Sequence, residues 1–437
     1  MTGALGACAQ RPGPPHEQAE EDSMSTIVTF SSAHVLTSEF FMTRRPVLDS
    51  RQHLAAHELL FCQAGAEGGT AAVIADVMQH GVTRILGDMP AYLQADAALL
   101  ESDLMQAIPP QHVVPAIPAS TPVTPHLVSR IGQLAQEGFV FALDAASDAQ
   151  AVRQWLPLVA TVRIDIAAVA PERLAILCRD FKAQGKQLLA QGVDTFAQFE
   201  VCSALGFDYF EGYYFIKRQA QSGKKLNPTQ QAITELIALI DSDAADAEIE
   251  RCIKTNVALG LNLLRLANTP ATSSHRIDSL RQALAVVGRN QLRRWLQIML
   301  HEEMSIDAHR MMPLLMQATT RGRLLELVAH KLVPGNRGIG DTAFMVGIMS
   351  LMDTVFGMPM QEILQHIPVV DEVRDALLSR QGYFGMLLTL AEHTERIDRD
   401  CQQLQQQMAG LRLSHNDLYL LQLAAFEWSD QASRNLH

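Results

Sequence analysis

The chain is expected to hold two fold classes in series, an α/β part closing into a βα barrel and then an all-α bundle. Three observations predict this. Residues 187–216 read as strand, loop, helix and strand within about thirty residues, a βαβ unit whose strands are parallel. Strand-then-helix units recur through the preceding stretch from residue 40. From Pro228 to about residue 428, apolar residues recur at helical spacing with no strand alternation.

The elements follow in order. Residues 40–62, FFMTRRPVLDSRQHLAAHELLFC, read as two short strands around a turn at Asp49-Ser50-Arg51. VTRILGD and AYLQAD lie near 82–96, HVVPAIPAS starts at 112, FVFALDA covers 139–145 and TVRIDI covers 161–166, with helical stretches between them. Leu188-Leu189-Ala190 is a buried strand, and Phe196, Phe199, Val201 and Leu205 mark a helix. Tyr209, Phe210 and Tyr213 to Phe215 favour a further strand. So many such units suggest a closed barrel, whose chemistry sits at the strand tips.

The segment MTGALGACAQRPGPPHEQAEEDS is rich in Pro, Gly and Glu, so residues 1–25 are expected to be a disordered leader, with Met24 a candidate start. The barrel is assigned to 26–216, a basic linker to 217–227 and the helical part to 228–437. Asn227-Pro228 is a cap residue followed by Pro at the first helical position. Ile233, Leu236, Ile237 and Ile240 follow at core spacing.

The 437 residues are 48% hydrophobic, enough for sizeable cores. A net charge of -12 argues against a nucleic-acid phosphate binder. No run of eighteen apolar residues marks a transmembrane helix. Six cysteines, at 8, 62, 178, 202, 252 and 401, form no CxxC pair. Neither a zinc ribbon nor a disulfide framework is suggested, and reduced thiols in a cytoplasmic protein are the expectation.

Two stretches of the first half resemble an EAL domain, the bacterial module that hydrolyses cyclic di-GMP. Arg44-Arg45-Pro46-Val47-Leu48-Asp49, then His57-Glu58-Leu59-Leu60-Phe61-Cys62, resemble its opening R-Q-P-I-x-D and Y-E-L-L-F-R. Ala190-Gln191-Gly192-Val193-Asp194-Thr195, then Glu211-Gly212-Tyr213-Tyr214-Phe215, resemble its A-E-G-V-E-T and Q-G-Y-x-F. The resemblance implies a TIM-like barrel and a two-metal phosphodiesterase site, whose ions need a carboxylate cluster. Carried over residue by residue, the signature Glu is Glu58, and the nucleotide-holding arginine is replaced by Cys62. The family's Asn falls on Gln94, the next Glu on Ala116, and the Asp pair on Asp144 and Ala145. Its Lys falls on Arg163 with Asp165 kept, its next Glu on Gln191, its loop-shaping Glu on Asp194, and its Gln on Glu211.

The chemistry of that set is poor. Glu58 and Asp144 keep carboxylates, Ala116 and Ala145 bind no cation, and Gln191 is no general base near pH 7. The expectation is no catalytic residue, no metal and no cofactor. Beside it stand plainer readings: Glu58 and Asp144 as strand-tip residues in polar contacts, and Arg163 in a salt bridge to Asp165 or a neighbour. Glu211 adds negative charge where an anionic ligand would sit.

The second half resembles an HDOD domain, a helical module of bacterial signalling proteins. Leu263-Leu264-Arg265-Leu266-Ala267-Asn268, Ile277-Asp278-Ser279-Leu280 with Ala283-Leu284 and Val287-Gly288, and Leu292-Arg293 with Trp295-Leu296 fit its pattern in order. Phe344 through Asp353, with Pro359-Met360 and Glu362-Ile363-Leu364, is a long and specific match. HDOD resembles HD phosphohydrolases without their metal site, and none of the fifteen histidines is followed by Asp. His301-Glu302 is no HExxH, since residue 305 is Ser. His330, His366 and His393 read as packed or surface residues. The methionines at 299, 311, 312, 316, 345, 349 and 352 read as core, with a partner-helix groove as the alternative. Residues 394–412 form a Gln-rich polar helix, solvent-facing or joining subunits, and 418–428 an amphipathic last helix that docks on the bundle or makes a dimer.

The resemblances together imply a non-catalytic signalling protein in the cyclic di-GMP context, with protein partners bound through the HDOD half. One alternative is a sensor that binds cyclic di-GMP uncut, using Arg44, Arg45 or Arg163. The other is an active phosphodiesterase with an unusual site.

Overall fold

Eight strands close into a barrel in the order β1 to β8. The computed structural model describes residues 40–63, 87, 89–145, 150–216, 228–255, 263, 280–302, 308–366 and 369–434. The expected leader and linker, the strand at VTRILGD apart from Gly87, and the motif residues 264–268 and 277–279 lie outside them.

Strands β1 (Phe40–Asp49) and β2 (Leu54–Gln63) form an antiparallel hairpin. Its turn lies where the sequence places it. The Asp49 carboxylate accepts from the Arg51 and His53 amides, each at 2.8 Å, and Gln52 takes the left-handed φ of 67°. A short polar side chain that substitutes for a backbone acceptor makes this tight reversal. The following strands pair in parallel: β3 (Ala91–Gln94), β4 (Val113–Ile117), β5 (Ala142–Asp144), β6 (Thr161–Asp165), β7 (Gln187–Gln191) and β8 (Tyr209–Glu211). β8 returns to pair antiparallel with β1, which removes the sheet edges.

Between the strands run α1 (Ala97–Glu101), α2 (Leu104–Ala107), α3 (Pro125–Gln136), α4 (Gln150–Trp155), α5 (Pro171–Ala183) and α6 (Phe196–Ala204). Helix α6 starts on a capping box in which Thr195 and Gln198 satisfy each other's backbone amides. Strand β8 ends at Glu211, short of the Tyr213 to Phe215 run expected to continue it. Gly212 turns the chain away with φ 146°, a value that only glycine adopts readily. A Cβ there would lie 2.1 Å from the Val193 carbonyl oxygen. The aromatic residues beyond it pack instead of pairing: Tyr214 stacks on Phe199 with ring centroids 4.7 Å apart.

The C-terminal region is helical. It comprises α7 (Pro228–Asp241), α8 (Asp246–Thr255), α9 (Leu280–Val287), α10 (Arg289–Glu302), α11 (Ala308–Leu332) and α12 (Arg337–Met349). Then follow α13 (Met352–Phe356), α14 (Met360–His366), α15 (Asp371–Ser379), α16 (Gly382–Glu395), α17 (Ile397–Leu411) and α18 (His415–Arg434). Ile233, Leu236, Ile237 and Ile240 are buried at their helical spacing, as are Met345, Met349 and Met352. The expected polar helix 394–412 is broken: α16 ends at Glu395 and α17 starts anew at Ile397. Its Ile397, Leu404 and Met408 are buried, so it is a packed helix rather than a solvent-facing one.

Residues 38–437 form one compact unit. The hairpin explains why barrel and helices cohere. Cross-strand partners share a face, so Val47, Arg45, Thr43 and Phe41 line up with Ala56, Glu58, Leu60 and Cys62. Val47 and Ala56 pack inside the barrel with Tyr92, Ala116, Ala142 and Leu189. Further along the same face, Phe41 is buried in the helical core, and Leu60 and Cys62 pack against it half-buried. The opposite face is anchored by Arg44, which pairs with Asp430 of α18 through two bonds of 2.8 and 2.5 Å and lies 4.4 Å over the Phe426 ring.

The cysteine expectation is corrected here. Cys62 of β2 and Cys401 of α17 are joined by a disulfide, with Cα atoms 6.3 Å apart across 339 residues of sequence. No spacing rule reveals a pair brought together only by the docking of a C-terminal helix on the barrel.

Candidate functional site at the barrel mouth

β2 places Glu58 and β6 places Arg163 inside the barrel, because alternate residues of a strand face inward. Arg163 Nη2 donates to Glu58 Oε1 at 2.7 Å, across 105 residues of sequence. Its Nε lies 2.8 Å from Asp144 Oδ1 on the neighbouring strand β5, an ion pair in contact but out of line for a hydrogen bond. The guanidinium also lies 5.6 Å from the centre of the Tyr92 ring. Arg163 is therefore the hub of two carboxylates, Glu58 and Asp144. The salt bridge to Asp165 foreseen as one option is not formed: Asp165 is exposed and its Oδ1 accepts from the Ala167 amide at 2.9 Å.

A second cluster adjoins the first. Arg45, two residues nearer the mouth than Val47, donates to Glu211 Oε1 and to Asp398 Oδ1 of α17, each at 2.5 Å. Glu211 also accepts from the Gly192 amide at 3.2 Å. Arg45 lies 5.0 Å from the Tyr213 ring centre, and Arg396 lies 5.3 Å from the same ring. The Tyr213 hydroxyl donates to the Glu395 carbonyl, and Arg399 donates to Asp194 at 2.7 Å. The α16–α17 junction thus lies on the loops that follow β7 and β8.

Burial and charge set the protonation states. Desolvation and the nearby Glu58 push the Glu211 carboxyl up to about 7, although Arg45 and the Gly192 amide oppose this. Burial raises Asp144, and Arg163 opposes it. Burial disfavours the charge on Arg163, but Glu58 and Asp144 outweigh it and keep the guanidinium firmly protonated. On the outer face of the hairpin, burial and Arg44 hold His57 well below the usual histidine range.

The other positions carried from the sequence scatter. Gln94 is exposed at the end of β3, opposite Ala116. Ala116 and Ala145 are buried and supply no donor. Gln191 ends β7 opposite Asp165. Asp194 is taken up by Arg399 and accepts from the Tyr213 amide at 3.4 Å. So the fold gathers Glu58, Asp144, Arg163 and Glu211, and leaves Gln94, Asp165 and Asp194 outside that cluster. Missed in the sequence were Tyr92, Asp398 and Glu395. Tyr92 lies opposite Glu58 in the register, a signal in principle, whereas nothing local marks Asp398.

Among the described residues, no group of three or more His, Cys, Asp or Glu side chains is placed to hold a metal ion. The carboxylates present face guanidinium groups, so this donor set does not fit a pair of divalent ions.

Comparison with known proteins bears on both halves. Residues 226–367 match the HDOD domain family model. This chain carries an HDOD domain. The helices that reach the barrel mouth, α16 and α17, and α18 on the hairpin follow that HDOD stretch rather than belong to it. The chain is 25% identical over 406 residues to "Uncharacterized protein YuxH" of Bacillus subtilis strain 168, covering 89% of this chain and 97% of that one. It is 26% identical over 436 residues to "Cyclic di-GMP phosphodiesterase CdgJ" of Vibrio cholerae El Tor Inaba N16961, covering 96% of each. Among solved structures, an EAL domain protein from Listeria monocytogenes EGD-e is similar at TM-score 0.31 and 15% identity, covering 40% of this chain and 87% of that one. No helix among the described residues is long and apolar enough to cross a membrane.

Proposed function

We propose that this protein is a non-catalytic signalling component of the cyclic di-GMP context, an EAL-like barrel fused to an HDOD domain that works through protein contacts. One observation carries the reading: the carboxylates at the barrel mouth are neutralised from within. Arg163 takes Glu58 and Asp144, and Arg45 takes Glu211 and Asp398. A guanidinium held by two carboxylates offers little to a phosphate, because an incoming anion has to displace an existing ion pair. Arg44, the third candidate phosphate cation, is engaged by Asp430. Among the described residues, the same pairing leaves no free carboxylate cluster at this site to activate a water.

The alternative is turnover or binding of cyclic di-GMP, and the near full-length similarity to a protein named a cyclic di-GMP phosphodiesterase favours it. Titration of cyclic di-GMP into the protein by calorimetry, with Mg²⁺ and with Mn²⁺, separates the readings when the mixture is also assayed for linear dinucleotide. The proposal expects no heat at high micromolar ligand and no product. Saturable heat without product makes the protein a sensor, and product makes it an enzyme.

A further inference from the structure

We propose that Cys62 and Cys401 are a reversible redox site, a disulfide clasp that holds helix α17 across the mouth of the barrel. The pair joins two elements that both reach the charged cluster. Cys62 lies on the same face of β2 as Glu58, four residues on. Cys401 lies one turn after Asp398 and Arg399, which pair with Arg45 and Asp194. A Cα separation of 6.3 Å suits a bridged pair. The bond thus fastens the helix that supplies Asp398 to the strand that supplies Glu58.

The described cysteines fall into two chemical kinds. Cys178, Cys202 and Cys252 are buried, and burial pushes the thiols of Cys178 and Cys202 up to about 11. A thiol with so little thiolate is inert to exchange. Cys62 and Cys401 are half-buried, packed against the edge of the helical core. A small dithiol supplies the electrons. One of its thiolates attacks one sulfur, the S–S bond breaks and a mixed disulfide forms. Its second thiol closes a cyclic disulfide and releases the second cysteine. Two electrons and two protons pass from the dithiol to Cys62 and Cys401. A disulfide oxidant such as oxidised glutathione reverses the step.

Opening the clasp does not free the helix outright. The ion pairs of Asp398 and Arg399 and the burial of Leu404 and Met408 remain. The expected change is local loosening, with α17 visiting open states more often. The inference uses no property of a nucleotide, so its outcome is separate from that of the titration above.

The test uses the full chain, treated with oxidised glutathione or with dithiothreitol. Peptide mapping after alkylation follows the bond, and hydrogen exchange follows residues 397–411. The expected result is a Cys62–Cys401 cross-linked peptide that dithiothreitol releases, and exchange over 397–411 about tenfold faster in the reduced protein. Cys401→Ser and Cys62→Ser each show the faster exchange in oxidising buffer, whereas Cys178→Ser keeps the redox response. Alkylation of both Cys62 and Cys401 after the oxidant overturns the proposal. So does a bond whose reduction leaves exchange over 397–411 unchanged.

Discussion

Arg163 shows how one residue sets the character of the barrel interior. It is 3% exposed and bridges two carboxylates, so its removal strands Glu58 and Asp144 without a counter-charge. Arg163→Ala is expected to lower the unfolding free energy by about 3–5 kcal/mol, read from urea denaturation. Arg163→Lys should lose less, since it keeps the charge and gives up only the planar fork. Glu211 carries a pH dependence. Its carboxyl rises from 4.5 to about 7 in the folded chain. Between those values the folded state holds a proton that the unfolded state has released, so stability falls as pH rises through this window and levels off above it. Glu211→Gln should remove that slope, with the difference from wild type changing by on the order of 3 kcal/mol across the window. Urea midpoints measured from pH 4.5 to 8 on both proteins check it.

At the scale of elements, the β7–α6–β8 unit depends on two local devices. Thr195 caps α6, and Thr195→Ala should cost about 1 kcal/mol of stability. Gly212 turns the chain where a Cβ meets the Val193 backbone, so Gly212→Ala forces that loop apart. A cost on the order of 3 kcal/mol is expected, seen as a lowered thermal midpoint and faster exchange over 192–216. The unit was legible in advance because strand, cap, helix and strand are each local patterns. The end of β8 was not: strand propensity in Tyr213 to Phe215 points one way, and stacking of Tyr214 on Phe199 decided the other.

For the whole molecule, the long hairpin makes barrel and helices interdependent. Phe41 is buried in the helical core while Val47, six residues on, is buried in the barrel. Arg44 and Asp430 tie the other face, with side chains 4% and 13% exposed. Barrel and helical region are therefore expected to unfold in a single transition. Tryptophan fluorescence and calorimetry should give coincident midpoints, with Trp155 reporting on the barrel and Trp428 on α18. Asp430→Ala should shift both probes together by about 3 kcal/mol, because it removes the carboxylate that pairs with the buried Arg44 guanidinium across the two parts. Separate shifts would mean that the two parts unfold independently.

The fold class is legible in the sequence because its causes are local. Alternation and helical spacing name the elements, and the recurrence of strand-then-helix units names a closed βα barrel. The identity of the residues at the strand tips, Ala116 and Ala145 among them, is likewise a matter of sequence alone. What the residues do to one another is not. Arg163 finds Glu58 across 105 positions, Arg45 finds Asp398 across 353, and Cys62 meets Cys401 across 339. Such pairings arise when a barrel closes and helices from the far end of the chain settle on it. They depend on three-dimensional proximity, which neither periodicity nor motif spacing encodes.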